Sequence, residues 1–142
     1  MTDNSQFQKK VYESQEDYYN KYKDVDQPRI SRIQEFLTKS TNNKKGLKII
    51  DVGCAGGEII KSFAKDNELF GVDISEAFLK IATKNGLKVK KANLEDKIPF
   101  NNDSFDIALC SEVIEHIIGT DKLLSAINRI LKMNSELVIT IP

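Results

Sequence analysis

Three glycines and two acids cluster near the middle of this chain, and their spacing suits the capture of a small charged nucleoside. Lys48 to Glu58 reads K-I-I-D-V-G-C-A-G-G-E, with Asp51 ahead of Gly53, and Gly56 and Gly57 behind it. Glycines at such a bend let backbone approach a ligand with no Cβ in the way. Twenty positions beyond Gly53, the apolar stretch Glu68-Leu69-Phe70-Gly71-Val72-Asp73 ends on a second acid. A carboxylate there can accept both hydrogen bonds of a ribose diol, although capping of the next helix is the plainer use of Asp73. Asp51 narrows the ligand further. An acid just ahead of the first glycine repels a pyrophosphate and tolerates a cationic centre or an ammonium group. The glycine spacing departs from G-x-G-x-x-G and no G-x-x-x-x-G-K-[ST] run occurs, which weakens dinucleotide and triphosphate readings.

A second cluster is Glu112-Val113-Ile114-Glu115-His116. On a helix, Glu112, Glu115 and His116 stand at i, i+3 and i+4 and share one face. Such oxygen and nitrogen donors suit a divalent metal, Mg²⁺, Mn²⁺ or Zn²⁺. The plainer reading is that acids favour a helix N-terminus. No residue declares itself catalytic; if a general base is needed, Glu112 and His116 are the candidates. Cys54 and Cys110 are the only cysteines. Two reduced thiols in a cytoplasmic protein are a simpler expectation than a disulfide.

These residues must be positioned by alternating strands and helices. Leu47, Ile49, Ile50 and Val52 form the compact run of a buried parallel strand. Ile59, Ile60, Phe63 and Ala64 follow at helical spacing, which puts the glycines on a strand-to-helix hinge. Glu68–Asp73 is a second strand, and Ser75 caps a helix that Gly86 stops. Leu87–Ala92, Phe105–Cys110 and Leu137–Ile141 read as further strands, with an amphipathic helix over Leu123–Leu131. The pattern implies an α/β doubly wound parallel sheet, and right-handed crossovers give the order 3-2-1-4-5. The first forty-five residues differ. Gln6–Lys23 reads as a loosely amphipathic helix bearing Tyr12, Tyr18, Tyr19 and Tyr22. Pro28 opens a second helix with an Ile30, Ile33, Phe36, Leu37 stripe.

Asp51-Val52-Gly53-Cys54-Ala55-Gly56-Gly57 resembles the first motif of the class I S-adenosylmethionine-dependent methyltransferases, roughly Asp/Glu-x-Gly-x-Gly-x-Gly, with Ala55 in place of the middle glycine. The resemblance runs on through Gly71–Ser75, Asn93–Glu95, Ile98–Phe100, Asp103–Asp106 and Ser111–His116, in the family's order, from about residue 45 onward. It implies a Rossmann-like fold and S-adenosyl-L-methionine as cofactor, with methyl transfer to an acceptor as the activity. By the same resemblance Gly53, Cys54 and Ala55 line the methionine portion and Asp51 lies near its ammonium. Asp73 holds the ribose hydroxyls, Ile74 packs on adenine, Asn93 and Leu94 read the adenine edge, and Cys110 lies beside the methionine carbons. Arg29 is similar to an arginine that pairs with the cofactor carboxylate in some members; Arg32 is an equally close candidate. Glu-x-x-Glu-His is similar to a metal motif of ubiquinone-pathway O-methyltransferases and small-RNA 2′-O-methyltransferases.

Domain organisation follows the same lines: residues 1–45 as a helical segment serving as cofactor lid or substrate side, and 46–142 as the cofactor-binding α/β domain. The family's sixth and seventh strands are missing, so the chain reads as a fragment, or as a domain whose open fifth-strand edge self-associates. A small-molecule acceptor is the first expectation, RNA or protein the second. Lysine plus arginine balance aspartate plus glutamate at 21 each, which argues against nonspecific nucleic-acid or membrane binding. A non-catalytic partner subunit with the same fold is the rival reading.

Overall fold

The computed structural model describes residues 27–142 and, ahead of them, Ser14, Asp17 and Asn20, which are helical. The four tyrosines and the rest of the expected Gln6–Lys23 helix lie outside the described residues. Helix α1 (Gln27–Thr41) buries Ile30, Ile33 and Leu37 on one stripe. Phe36, expected on that stripe, is instead half exposed, with Lys39 Nζ 5.8 Å from its ring.

Five strands form one sheet: β1 (Lys48–Val52), β2 (Glu68–Asp73), β3 (Leu87–Lys91), β4 (Phe105–Ser111) and β5 (Leu131–Thr140). All pairs are parallel and the order is β3-β2-β1-β4-β5, as the crossovers predict. Helix α2 (Glu76–Lys84) connects β2 to β3, and α3 (Thr120–Ile130) connects β4 to β5. Ser75 caps α2, its side chain accepting from Phe78 N at 3.3 Å, and Gly86 follows the helix at φ +93°. One side of the sheet packs Ile49, Leu69 and Leu109 against Ile33 and Leu37 of α1 and Leu79 of α2. The other packs Ile50, Val72 and Ala108 against Leu123, Ile127 and Ile130 of α3. Burying each such aliphatic side chain contributes about 1.5–3 kcal/mol, enough to hold the strand ends in register.

Two elements differ from expectation. Behind the glycines there is no α-helix: the chain runs through turns and a single 3-10 turn at Lys61–Phe63. Its bonds are mostly of the tighter type, Phe63 N to Ile60 O at 2.9 Å and Ala64 N to Lys61 O at 3.2 Å. Gly57 at φ +74° keeps the start of this stretch out of helical geometry, and the adjacent β-branched Ile59 and Ile60 disfavour a helix. Strand β5 starts earlier than expected, at Leu131, and is irregular. Its pairing with β4 shifts between Phe105 and Ile107, with Asn134 at φ +61° inside the shift. Among the described residues, no helix is long and apolar enough to cross a membrane.

Candidate functional site

The carboxyl ends of β1, β2 and β4 meet α1 around a cavity of about 750 Å³, within the range of small-molecule sites. Asp51, Gly53, Cys54, Ala55, Asp73, Ile74, Asn93 and Leu94 all line it. Residues separated widely in sequence converge there because parallel strands deliver their following loops to the same rim.

The elbow is held from beneath. Gly53 N and Cys54 N both donate to Val72 O, at 2.8 and 3.0 Å. Gly53 has φ +78°, Ala55 +45° and Gly57 +74°. A Cβ on Gly53 would stand 2.5 Å from Val113 Cγ2, so the elbow is pressed against the loop after β4. Ala55 occupies a left-handed conformation that costs an L-residue about 1–2 kcal/mol. Strain of this kind persists only where surrounding bonds over-determine it.

Asp73 supplies such bonds. Its Oδ2 accepts from Ala55 N and its Oδ1 from Ser75 N, both at 2.9 Å. The carboxylate thus fastens the elbow to the end of β2, while Ser75 does the helix capping. Each oxygen keeps a lone pair for a further donor. Asp51 is 2 % exposed, whereas Asp73 is only partly buried. Burial, and secondarily the Asp73 charge, raise its pKa well above the usual carboxylate range; Arg29 pulls the other way. A buried acid so placed favours a cation in the cavity.

Arg29 is the arginine that α1 brings to the site, whereas Arg32 is exposed and does not line the cavity. Its Nη1 lies 3.1 Å from Glu112 Oε1 and donates to Ser111 Oγ at 3.2 Å. Ser111 and Thr140 share a hydroxyl–hydroxyl bond of 2.7 Å, and Glu112 N donates to Thr140 O at 2.9 Å. Asn93 lines the cavity, but its Oδ1 accepts from Glu95 N at 3.0 Å in a local turn, leaving one lone pair for a ligand.

Two expected assignments need correcting. Cys110 does not line the cavity: it is fully buried among Ile50, Val52 and Leu123 on the α3 side. Strand β4 runs one residue further than expected, and alternation turns Ser111 to the cavity instead. The metal face of Glu112, Glu115 and His116 is not formed. Glu112 precedes the 3-10 turn Ile114–His116 with φ +53°, so the α-helical spacing does not apply. Its carboxylate is paired with Arg29, and His116 Nε2 lies 3.9 Å from Glu115 Oε1 with its side chain 77 % exposed. Among the described residues no three His, Cys, Asp or Glu side chains converge as a metal site. Burial disfavours the thiolate at both cysteines: it raises Cys54 far above its usual value, with Asp51 and Asp73 adding to it, and pushes Cys110 up to about 12.

Ser111, Val113 and Phe78 line the cavity without having been singled out as ligand contacts. Ser111 stood inside the Ser111–His116 motif, where strand alternation was the available signal. Phe78 sits where one turn of α2 returns to the rim, three residues after the cap.

Comparisons with known proteins agree with this geometry. Residues 50–139 match a family described as a methyltransferase domain. The chain is 29 % identical over 99 residues to a ubiquinone biosynthesis O-methyltransferase of Hahella chejuensis, covering 65 % of this chain and 42 % of that protein. It is 32 % identical over 131 residues to the uncharacterized protein MJ1123 of Methanocaldococcus jannaschii, covering 92 % and 60 %. The chain thus spans about half the length of the curated relatives it matches. The crystal structure of a SAM-dependent methyltransferase from Aquifex aeolicus superposes with a TM-score of 0.67 at 23 % identity, over 84 % of this chain and 70 % of that one, and shows the shared fold. Family match, strand order and elbow together identify the chain as a member of the class I S-adenosylmethionine-dependent methyltransferases.

Proposed function

We propose that this chain binds S-adenosylmethionine in the cavity and forms the cofactor-binding part of an enzyme that methylates a small molecule. The observation that carries this is the pair of unlike acids at the elbow: Asp51 buried with its charge disfavoured, Asp73 offering an anchored carboxylate to the same cavity. The donor set fits the cofactor. Asp73 has lone pairs for a ribose diol, Asp51 faces the place of an ammonium, and Arg29 is a cation for a carboxylate. Gly53, Cys54 and Ala55 line the methionine portion, Ile74 and Leu94 provide apolar surface for adenine, and Asn93 offers its remaining lone pair. When bound, S-adenosylmethionine supplies a methyl group already activated by the positive sulfur. What remains for the protein is to bind, align and exclude water, tasks suited to a rigid elbow and an aliphatic rim of Val113 and Ile117.

The acceptor reading draws on the O-methyltransferase name of the Hahella relative and on the balanced charge of this chain. Residues 46–142 act as the cofactor domain, and 1–45 act as substrate side or lid, supported by Arg29 and Ile30 lining the cavity. We place the protein in the cytoplasm, in keeping with two reduced thiols, and read the outer edge of β5, last in the strand order, as the surface that a further strand or a second copy would cover. The test is calorimetric titration of S-adenosylmethionine and S-adenosylhomocysteine into wild type and Asp73→Ala. Wild type binds both and the variant binds at least about tenfold more weakly, the size of one charged hydrogen bond. Equal affinities in the two proteins would remove the ribose assignment.

A further inference from the structure

We infer that Asn85, at the far end of α2, is a positioning residue for the elbow, clamping its exit from outside; this rests on the elbow being the cofactor loop. The entry of the elbow is pinned by Val72 O and by Asp73. Its exit is different. In a strand–glycine–helix hinge the following helix fixes the exit, but here turns and one 3-10 turn follow. Gly57 N bonds back to Cys54 O at 2.8 Å, which closes the turn on itself without tying it to the sheet. Asn85 Nδ2 donates to Gly56 O at 2.7 Å and reaches Glu58 Oε1 at 3.4 Å. Glu58 in turn pairs with Lys61 at 2.6 Å, inside the irregular stretch.

Asn85 is itself well fixed. Its backbone N–H bonds Ile81 O as the C-cap of α2, and Gly86 turns the chain into β3. A cap asparagine normally serves its own helix end; this one spends its side-chain donors on a segment 29 residues away. The neighbouring Leu87 side chain closes the same seam, 2.9 Å from where a Cβ on Gly57 would stand. The start of β3 and the end of α2 therefore do for the elbow what a helix N-terminus would otherwise do. Because the clamp acts on Gly56, it bears first on the methionine side of the cavity, while on the ribose side Asp73 keeps its separate tie to Ser75 N at 2.9 Å.

The experiment compares S-adenosylhomocysteine with 5′-deoxyadenosine, which retains the ribose diol and adenine but lacks the amino-acid arm. Affinities for both are measured calorimetrically in wild type, Asn85→Asp, Asn85→Ala and Lys84→Gly. Asn85→Asp keeps the shape and replaces the donor with an acceptor facing Gly56 O. Lys84→Gly loosens the same helix end without touching the elbow. The clamp predicts that both Asn85 variants lose about tenfold for S-adenosylhomocysteine and keep 5′-deoxyadenosine unchanged, while Lys84→Gly keeps the ratio of the two affinities. Equal loss for both ligands, no loss, or the same ratio change in Lys84→Gly overturns it. If wild type binds neither ligand, the cofactor reading itself fails and the clamp goes with it.

Discussion

Gly53→Ala probes the contact that locks the elbow to the loop after β4. Two costs are separable. The glycine has φ +78°, where an L-residue loses about 1–2 kcal/mol. The added Cβ would lie 2.5 Å from Val113 Cγ2, so one of the two must move. Overpacking of that kind costs about 1–3 kcal/mol, and the sum of about 2–5 kcal/mol is a large share of the roughly 5–15 kcal/mol typical of a domain's stability. Val113→Ala removes the clashing methyl and leaves the backbone cost in place. The assay is urea unfolding of wild type, both single variants and the double variant, with slopes compared to confirm two-state behaviour. The double variant should be more stable than the two single losses predict, by about 1–2 kcal/mol, because the steric part is shared. Additivity within about 0.5 kcal/mol would mean that Val113 does not press on the elbow.

Two further outcomes follow from the same loop. Ala55→Gly relieves a left-handed alanine at φ +45° and should raise stability by about 0.5–1 kcal/mol, after the extra entropy of the unfolded glycine is subtracted; a lower urea midpoint would refute it. Asp51 gives a pH dependence of unusual sign. Its folded pKa lies above the unfolded value, so between the two the folded state holds a proton that the unfolded state has released. Its contribution is fully present below the unfolded carboxylate pKa and is lost as pH rises through the folded one. Without ligand, Asp51→Asn should therefore be more stable than wild type at neutral pH and less sensitive to pH above 4, roughly the unfolded carboxylate value, and it should bind S-adenosylmethionine more weakly. Thermal melts across a pH series check the first claim and titration the second; parallel melting curves for the two proteins would refute the linkage.

The sheet and much of the elbow were legible from residue order, because they depend on local patterns. Apolar runs of strand length marked β1, β2 and β4, the Ser75 cap and Gly86 stop bounded α2, and handed crossovers reduced the topology to one order. The spacing from Gly53 to Asp73 carried the two acids to a common cavity because parallel strands end on the same rim. What the tertiary structure decided were choices among competing partners. Glu112 read as a metal donor on a helix, yet a positive φ takes it off that helix and Arg29, far away in sequence, takes its carboxylate. Cys110 shares the face of Ala108 on the α3 side, and because β4 runs on through Ser111 the same alternation brings that serine to the cavity instead. The stretch behind the glycines carries apolar residues at helical spacing, but Gly57 at a positive φ and the paired isoleucines after it leave only a 3-10 turn, so Asn85 holds the elbow instead. Periodicity records which face of an element is apolar; it holds no information on which of several distant polar groups reaches a given one first, and that is settled only when the chain closes on itself.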